Sequence, residues 1–189
     1  ADDVLAKISF SAPNEGTGTD ALLTAAAIQA VSEGDFSSSS NATSLQFMTG
    51  SSEAATSKMS LSSTGVLNVT SATNDIVTFE NTDAGTTGSQ LILYHNSSSP
   101  ADGDRIGAIG FLGKDDGGNQ LTYGAIRGFA TDVSNGSEDG ELSFNTTRNG
   151  TFAERMRLTS GGDLAMKTDG AEIQLYCTES SKFITNSGD

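Results

Sequence analysis

The chain has 189 residues, of which 35% are hydrophobic and none is Trp. Its 24 Asp and Glu residues outnumber 10 Lys and Arg, and the formal net charge of −14 disfavours nucleic acid and anionic membranes as partners. The single Cys excludes an intrachain disulfide. No apolar run approaches the ~18 residues of a candidate membrane span, so membrane insertion is not expected.

The composition is poor in the residues that build a large hydrophobic core. Ser and Thr make up 48 residues and Gly another 22. A domain needs enough buried apolar area to offset the entropy of its chain. The apolar residues are nevertheless regularly patterned, which argues against disorder. The chain therefore forms either two thin β domains or strands that are buried against other copies of itself, as in repeat proteins.

Alternation of apolar and polar residues predicts β-strands along the whole chain. In the first part of the chain, strands are expected at residues 4–10, 25–31, 44–48, 57–61 and 66–70. The later strands are expected at residues 76–80, 91–95, 106–112, 123–131, 142–146, 154–159, 164–167 and 173–177. Clusters of Asp, Asn, Gly and Ser separate them, which is the composition of tight turns. The predicted fold class is all-β.

Residues 20–30 are ambiguous when they are read alone. Their helix propensity is good, and Asp20 stands where an N-cap would stand. A repeat in the sequence aligns them with residues 120–128, which contain two glycines and have the pattern of a strand. Because propensity is a weak guide that tertiary context overrides, we expect a strand here as well.

Two stretches of the chain have nearly the same sequence. Residues 57–69 read SKMSLSSTGVLNV, and residues 154–166 read ERMRLTSGGDLAM. Identical apolar residues stand at alternate positions on both sides of a polar turn that ends in Gly, and each stretch therefore predicts a β-hairpin with one buried face. The paired positions are Met59 and Met156, Leu61 and Leu158, and Leu67 and Leu164.

The match continues upstream, so the repeat is about 100 residues long. The further pairs are Leu45 and Leu142, Phe47 and Phe144, Ile8 and Ile109, and Ile28 and Ile126. We expect residues 1–70 to be a partial first β repeat and residues 71–167 a complete second one. Residues 168–189 would begin a further β unit or add C-terminal strands. A chain that opens and closes within the pattern is expected to be a segment of a longer protein.

Six blocks of the second copy are distinctive together. They are FENTDAG at 79–85, LILYHNS at 91–97, SPADGDRIG at 99–107, DDGGN at 115–119, DVSNGSEDG at 132–140 and ERMRL at 154–158. In this order and spacing, residues 76–167 resemble the shaft repeats of tailed-phage tail fibres, of the kind found in marine phages, cyanophages and prophages. The first copy is a weaker match, because it lacks the Asp-rich loop and reads SKMSL in place of ERMRL.

The resemblance implies a repeat-built β-sheet fibre segment that forms an intertwined parallel homotrimer. It implies a structural and adhesive function in the virion, outside the cell, where the fibre attaches to the host. The partners would be other copies of the chain, other tail proteins and a glycan or protein receptor on the host surface. In that family, similar repeats precede a C-terminal intramolecular chaperone that cleaves itself off. Nothing in this chain looks like that domain, so no self-cleavage residue is carried over.

The residues expected to matter most are structural. If one face of each hairpin is buried at the axis of the trimer, the alternating apolar residues pack there. The predicted packing residues are Leu45, Phe47, Met59, Leu61, Leu67, Leu142, Phe144, Met156, Leu158 and Leu164.

No catalytic, cofactor or metal site is predicted. Residues 102–104 and 115–119 are acidic, but they lack the ligand order of a helix-flanked calcium loop, and Asp, Asn and Gly suit turns. Cys177 and the only histidine, His95, are far apart in sequence, and nothing in the sequence pairs them as nucleophile and base.

Two charged groups have alternative interpretations. Glu138, Asp139 and Glu141 could serve a polysaccharide-degrading tailspike enzyme, but the sequence around them supplies no aromatic residues on which a sugar would stack. Arg155 and Arg157, with Arg148 nearby, are expected to pair with acidic neighbours, and a contact with an acidic receptor group is the alternative.

A bacterial extracellular adhesin or matrix protein built on the same repeat is the remaining alternative for the whole chain.

Overall fold

The structure is a computed structural model that describes residues 2–12 and 22–167. Within these ranges every regular element is a β-strand, which confirms the all-β prediction. The chain divides into two compact units, Ala1–Ser89 and Gln90–Asp189, and each contains one five-stranded antiparallel sheet. No helix in the described ranges is long and apolar enough to cross a membrane.

The first sheet is an antiparallel meander in which each strand pairs with the next one in the chain. Its strands are β1 Val4–Phe10, β2 Ala26–Ser32, β3 Thr43–Thr49, β4 Thr56–Leu61 and β5 Leu67–Val69. Four of them were predicted from alternation and β2 from the repeat, all to within a residue or so at each end. In the ambiguous stretch β2 confirms the strand, whereas Asp20 lies outside the described residues.

The second sheet repeats this meander with longer strands. Its strands are β6 Asp104–Lys114, β7 Gln120–Asp132, β8 Asp139–Arg148, β9 Thr151–Leu158 and β10 Leu164–Met166. These confirm the five strands expected between residues 106 and 167, although β6, β7 and β8 extend beyond both predicted ends and β9 begins three residues earlier than predicted.

The hairpin turns of the two copies are built in the same way. The amide of Gly65 donates to the carbonyl oxygen of Ser62, and the amide of Gly162 donates to that of Thr159, both at 3.0 Å. Both glycines have positive φ, 82° and 88°, a conformation that side chains with a Cβ rarely adopt. The two hairpins predicted from the repeated sequence are therefore present.

Strand register shows that the sequence repeat is also a structural repeat. One cross-strand row of the first sheet is Ile8, Ile28, Phe47, Met59 and Val69, and its counterpart is Ile109, Ile126, Phe144, Met156 and Met166. The neighbouring row is Ala6, Ala30, Leu45, Leu61 and Leu67, and its counterpart is Gly107, Gly128, Leu142, Leu158 and Leu164. The repeat boundaries at residues 70 and 167 stay predictions.

Each sheet has one apolar and one polar face, because residues opposite each other in register point to the same side. The two rows above form what we call the apolar face of each sheet. On the other side, the polar face, one row of the first sheet is Lys7, Gln29, Gln46, Ser60 and Asn68. The matching row of the second sheet is Ala108, Arg127, Ser143, Arg157 and Ala165.

Neither sheet has a covered hydrophobic core. Among the described residues, the buried hydrophobic side chains are those of Ala27, Val31, Ala55 and Ala125, and none is larger than Val. Large hydrophobic side chains are exposed instead, among them Ile109 at 46%, Phe111 at 57% and Leu67 at 61%. The apolar faces are thus largely open to solvent.

Two predicted strands are wrong. Residues 76–80 and 91–95 are not strands, because no strand of the described chain forms a hydrogen-bonded ladder with them. They belong to the stretch between β5 and β6, which contains no regular element. The strand expected at 173–177 lies outside the described residues.

Candidate functional site

All ten predicted packing residues lie on the apolar faces. On each sheet, three leucines stand side by side on adjacent strands: Leu45, Leu61 and Leu67 on the first, and Leu142, Leu158 and Leu164 on the second. Phe47 and Met59, and Phe144 and Met156, pair in the next row. The structure brings the ten together as two equivalent apolar surfaces, and their role in trimer packing stays a prediction.

These surfaces are accessible enough to bind another apolar surface. Leu61 is 42% exposed and its counterpart Leu158 is 40% exposed, although each has a paired residue on both neighbouring strands. Covering such side chains stabilises an assembly by about 25 cal/mol per Å² of apolar area removed from water. The apolar faces are therefore the strongest candidate for a functional surface in the described chain.

The polar face of the second sheet carries a compact ion-pair network. Arg157 donates from Nε and Nη2 to the two carboxylate oxygens of Glu154, both at 2.6 Å, and from Nη1 to Glu141 Oε2, also at 2.6 Å. The side chains are 26%, 22% and 10% exposed for Arg157, Glu154 and Glu141. The hydrogen bonds from Arg157 hold the pKa of Glu154 below its ordinary value, and those to Glu154 raise the pKa of Arg157.

A β-bulge makes this network possible. Met156 pairs with Phe144, and Glu154 pairs with Asn145, so Arg155 is an extra residue in β9. In a regular strand, residues three apart point to opposite faces. Here the bulge turns Glu154 and Arg157 to the same face, which could not be read from the sequence.

Arg127 lies on the same polar face and is held by an aromatic ring. Its guanidinium carbon lies 4.7 Å from the centroid of the Phe152 ring, within the range of a cation–π contact. Its Nε is buried and has no hydrogen-bond partner among the described residues. Ser143, opposite Arg127 in register, is only 1% exposed and donates to Asn145 Oδ1 at 3.1 Å.

The three arginines singled out in the sequence do not form one basic patch. Arg157 is engaged by two carboxylates, as described above. Arg155 donates instead to Thr146, from Nε to Oγ1 at 3.2 Å and from Nη2 to the carbonyl oxygen at 3.4 Å. Arg148 is the exposed last residue of β8. Among these three, the expected pairing with acidic neighbours is found for Arg157.

The acidic loops use their carboxylates to close turns. Asp115 accepts hydrogen bonds from the backbone amide of Asn119 at 2.8 Å and from its side-chain amide at 3.0 Å, and these bonds lower the pKa of Asp115. Asp104 accepts from the amide of Ala101 at 2.9 Å, and Asp102 accepts from that of Val133 at 2.9 Å. Across residues 2–12 and 22–167, no three side chains come together in a way that could hold a metal ion.

The acidic residues considered for an enzyme have separate partners. Glu138 accepts from the amide of Gly136 at 3.1 Å in the loop before β8, whereas Glu141 binds Arg157. Asp139 stands opposite Asp132 at the start of the strand. His95 lies in the stretch without regular structure, and Cys177 is outside the described residues.

Comparison with solved structures identifies the architecture. The structure of the carboxy-terminal domain of the bacteriophage T5 L-shaped tail fibre matches 99% of this chain and 87% of its own, with a TM-score of 0.67 and 13% identity. The fold is of the phage tail-fibre type. The structure of that domain with its intramolecular chaperone domain matches 98% of this chain with a TM-score of 0.66 and 13% identity. The chain spans 62% of the length of that second protein.

Sequence comparison adds no closer relative. No protein-family model matches the chain, and no curated protein matches it. Because the structural neighbours are only 13% identical, their likeness concerns the fold.

Proposed function

We propose that this chain is a structural and adhesive segment of a phage tail fibre that projects toward the host cell surface and attaches to it. The observation that carries the proposal is the fold, which matches a tail-fibre domain over 99% of the chain. The described residues form sheets and turns, and the acidic side chains of Asp102, Asp104, Asp115, Glu138 and Glu141 bond to backbone amides or to Arg157. We therefore propose a scaffold with no enzymatic activity.

The assembly we propose is an intertwined parallel homotrimer. Its support is the pair of uncovered apolar faces, with the leucines in adjacent positions on neighbouring strands. The six leucines of these faces are each at least 40% exposed. Association of three copies would remove their apolar area from water and so stabilise the assembly.

The remaining partners follow from the same proposal. In the virion, the segment would join other tail proteins, and the fibre would contact a glycan or a protein receptor on the host. The net charge of −14 would keep a long exposed assembly soluble.

Sedimentation equilibrium of the chain tests the assembly. The expected mass is three times that of one chain, with a circular dichroism spectrum dominated by β signal. A well-folded monomer at micromolar concentration would contradict the proposed trimer.

Attachment needs a separate test. Fluorescently labelled chain is incubated with a panel of bacterial strains, and binding is measured before and after the surface is stripped of glycans or digested with protease. Saturable binding that one treatment removes is the expected result and names the receptor class. If the trimer forms but binds no strain that the parent phage infects, the adhesive role of this segment is wrong while its structural role stands.

A further inference from the structure

The stretch of sequence between β5 and β6 contains an apolar run whose four side chains are all about half exposed or more in the described chain. Residues 91–94 read Leu-Ile-Leu-Tyr, and none of them belongs to a strand or pairs with one in the described chain. A continuous apolar run is typical of a strand buried on both faces, whereas a strand with one wet face alternates.

One side of the run lies against the apolar face of the second sheet. Leu93 is the nearest neighbour of Gly107, where an added Cβ would be 3.1 Å from the Leu93 Cβ. Leu91 and Leu93 also line an apolar cavity of about 260 Å³ together with Ile126 and Leu142. The missing Cβ of Gly107 leaves room for Leu93. The equivalent position of the first sheet is an alanine, Ala6.

The other side of the run faces solvent. Ile92 is 77% exposed and Tyr94 is 79% exposed, and they alternate with the two leucines that face the sheet. Exposed hydrophobic side chains that stand close together are typical of a surface that binds another protein.

We propose that a second copy of this chain covers the outer side of residues 91–95. The segment then lies between its own second sheet and the apolar face of the neighbouring copy. Its backbone N–H and C=O groups, which would be buried there, pair with that copy, because buried backbone groups must be hydrogen-bonded. This inference rests on the proposed trimer and names a segment that holds it together.

A second copy suits this site better than a foreign protein. Each chain carries an uncovered apolar sheet face and an uncovered apolar segment, so identical copies cover both kinds of surface in one another. A foreign partner covering Ile92 and Tyr94 would leave Leu142 and Leu158 exposed in every chain. Self-association therefore removes the most apolar area from water.

Photo-crosslinking tests the inference directly. The variant Tyr94→p-benzoylphenylalanine keeps an aromatic side chain at an exposed position, so it should fold and assemble as the parent chain does. Light and isotopically heavy chains are refolded together and irradiated. We expect mixed light–heavy dimers, with adducts on the apolar face of the second sheet. The control is Thr86→p-benzoylphenylalanine in the exposed turn of the same stretch, for which we expect at least fivefold less interchain product.

The outcomes separate this inference from the proposed function. A trimer whose Tyr94 adducts are all within one chain overturns the inference and leaves the trimer standing. A trimer in which Tyr94 crosslinks only to added host envelope or to another tail protein also overturns it, because the occupant is then foreign. A monomer in sedimentation equilibrium overturns both.

Hydrogen exchange supplies a second readout. In the parent trimer, the amides of residues 91–95 are expected to exchange at least tenfold more slowly than those of residues 83–88. Ile92→Asp is expected to abolish this difference while the amides of β8 remain protected, and Ile92→Leu is expected to preserve it. Fast exchange at residues 91–95 in an intact trimer would contradict the proposed pairing.

Discussion

Glu154 and Arg157 form a two-pronged ion pair, with both N–O distances at 2.6 Å, although they stand three residues apart on one β-strand. The bulge at Arg155 places them on the same face. Glu141 on the neighbouring strand binds the remaining guanidinium nitrogen at 2.6 Å. One bulge thus joins two strands of the second sheet through a single arginine.

Arg157→Met is expected to lower the free energy of unfolding by about 1–2 kcal/mol. It keeps an apolar stem but leaves two partly buried carboxylates without their cation. This loss is smaller than for a fully buried ion pair, because solvent partly screens the charges. The exposed fractions of the side chains are 26% for Arg157, 22% for Glu154 and 10% for Glu141. Urea unfolding followed by circular dichroism, at matched chain concentration, measures it.

The control for this change is Arg148→Met, which removes the same charge from an exposed strand end. Surface substitutions of this kind usually change stability by less than about 0.5 kcal/mol. Equal unfolding midpoints for the two variants would show that the ion-pair network contributes nothing measurable.

The same network predicts how stability depends on pH. Arg157 holds the pKa of Glu154 below its ordinary value of 4.5, so the unfolded chain binds a proton more readily than the folded one. The stabilisation is therefore complete above the ordinary pKa and is lost as pH falls through the lower folded pKa. We expect Glu154→Gln to flatten the decline of the unfolding midpoint below about pH 5.

A double variant checks that this effect runs through the arginine. In the Arg157→Met background, Glu154→Gln should change the acid decline far less than it does in the parent chain. An undiminished effect would mean that Glu154 owes its lowered pKa to another group.

Alternation predicted most of the strands and which of their residues share a face, whereas β2 needed the sequence repeat as well. Met59 and Leu61, like Met156 and Leu158, stand at alternate positions, and the hairpin turn that follows each pair ends in glycine. The period of two also placed all ten packing residues on one side. What alternation cannot supply is the partner of a strand. Residues 91–95 have a strand sequence and no ladder, because pairing depends on what lies beside them.

The ion-pair network was beyond sequence reasoning for another physical reason. Arg157 was expected to pair with nearby acids, but a regular strand would have turned Glu154 to the opposite face. The bulge that reverses this has no distinctive residue at Arg155. In the same way, the contact of Leu93 with Gly107 joins residues whose sequence gives no sign of their proximity.

The turn between β8 and β9 offers a test of local backbone conformation. Asn149 and Gly150 both have positive φ, 51° and 75°, as two-residue hairpin turns of type I′ require. Gly150→Ala is expected to cost about 1–2 kcal/mol, since the left-handed conformation brings a Cβ too close to the following carbonyl oxygen. Thermal unfolding monitored by circular dichroism measures the loss.

Gly34→Ala is the matched control for the turn. An added Cβ has open space around it at both positions, but only Gly150 has a positive φ. Gly34→Ala should leave stability unchanged or raise it by about 0.4–1 kcal/mol through the unfolded chain. A loss of equal size in both variants would contradict the explanation from backbone conformation.

A charge on either apolar face is expected to abolish the trimer. In Leu158→Asp, and in Leu61→Asp at the equivalent position, the carboxylate would be buried without a partner in the assembled fibre. That would cost several kcal/mol per chain.

Ser60→Asp is the control, because Ser60 neighbours Leu61 on β4 but belongs to the polar face, opposite Gln46 and Asn68. Sedimentation equilibrium should give a trimer for Ser60→Asp and no trimer for the other two. If Leu158→Asp still forms a monodisperse, folded trimer, the apolar face does not point into the assembly, and the polar face becomes the candidate interface.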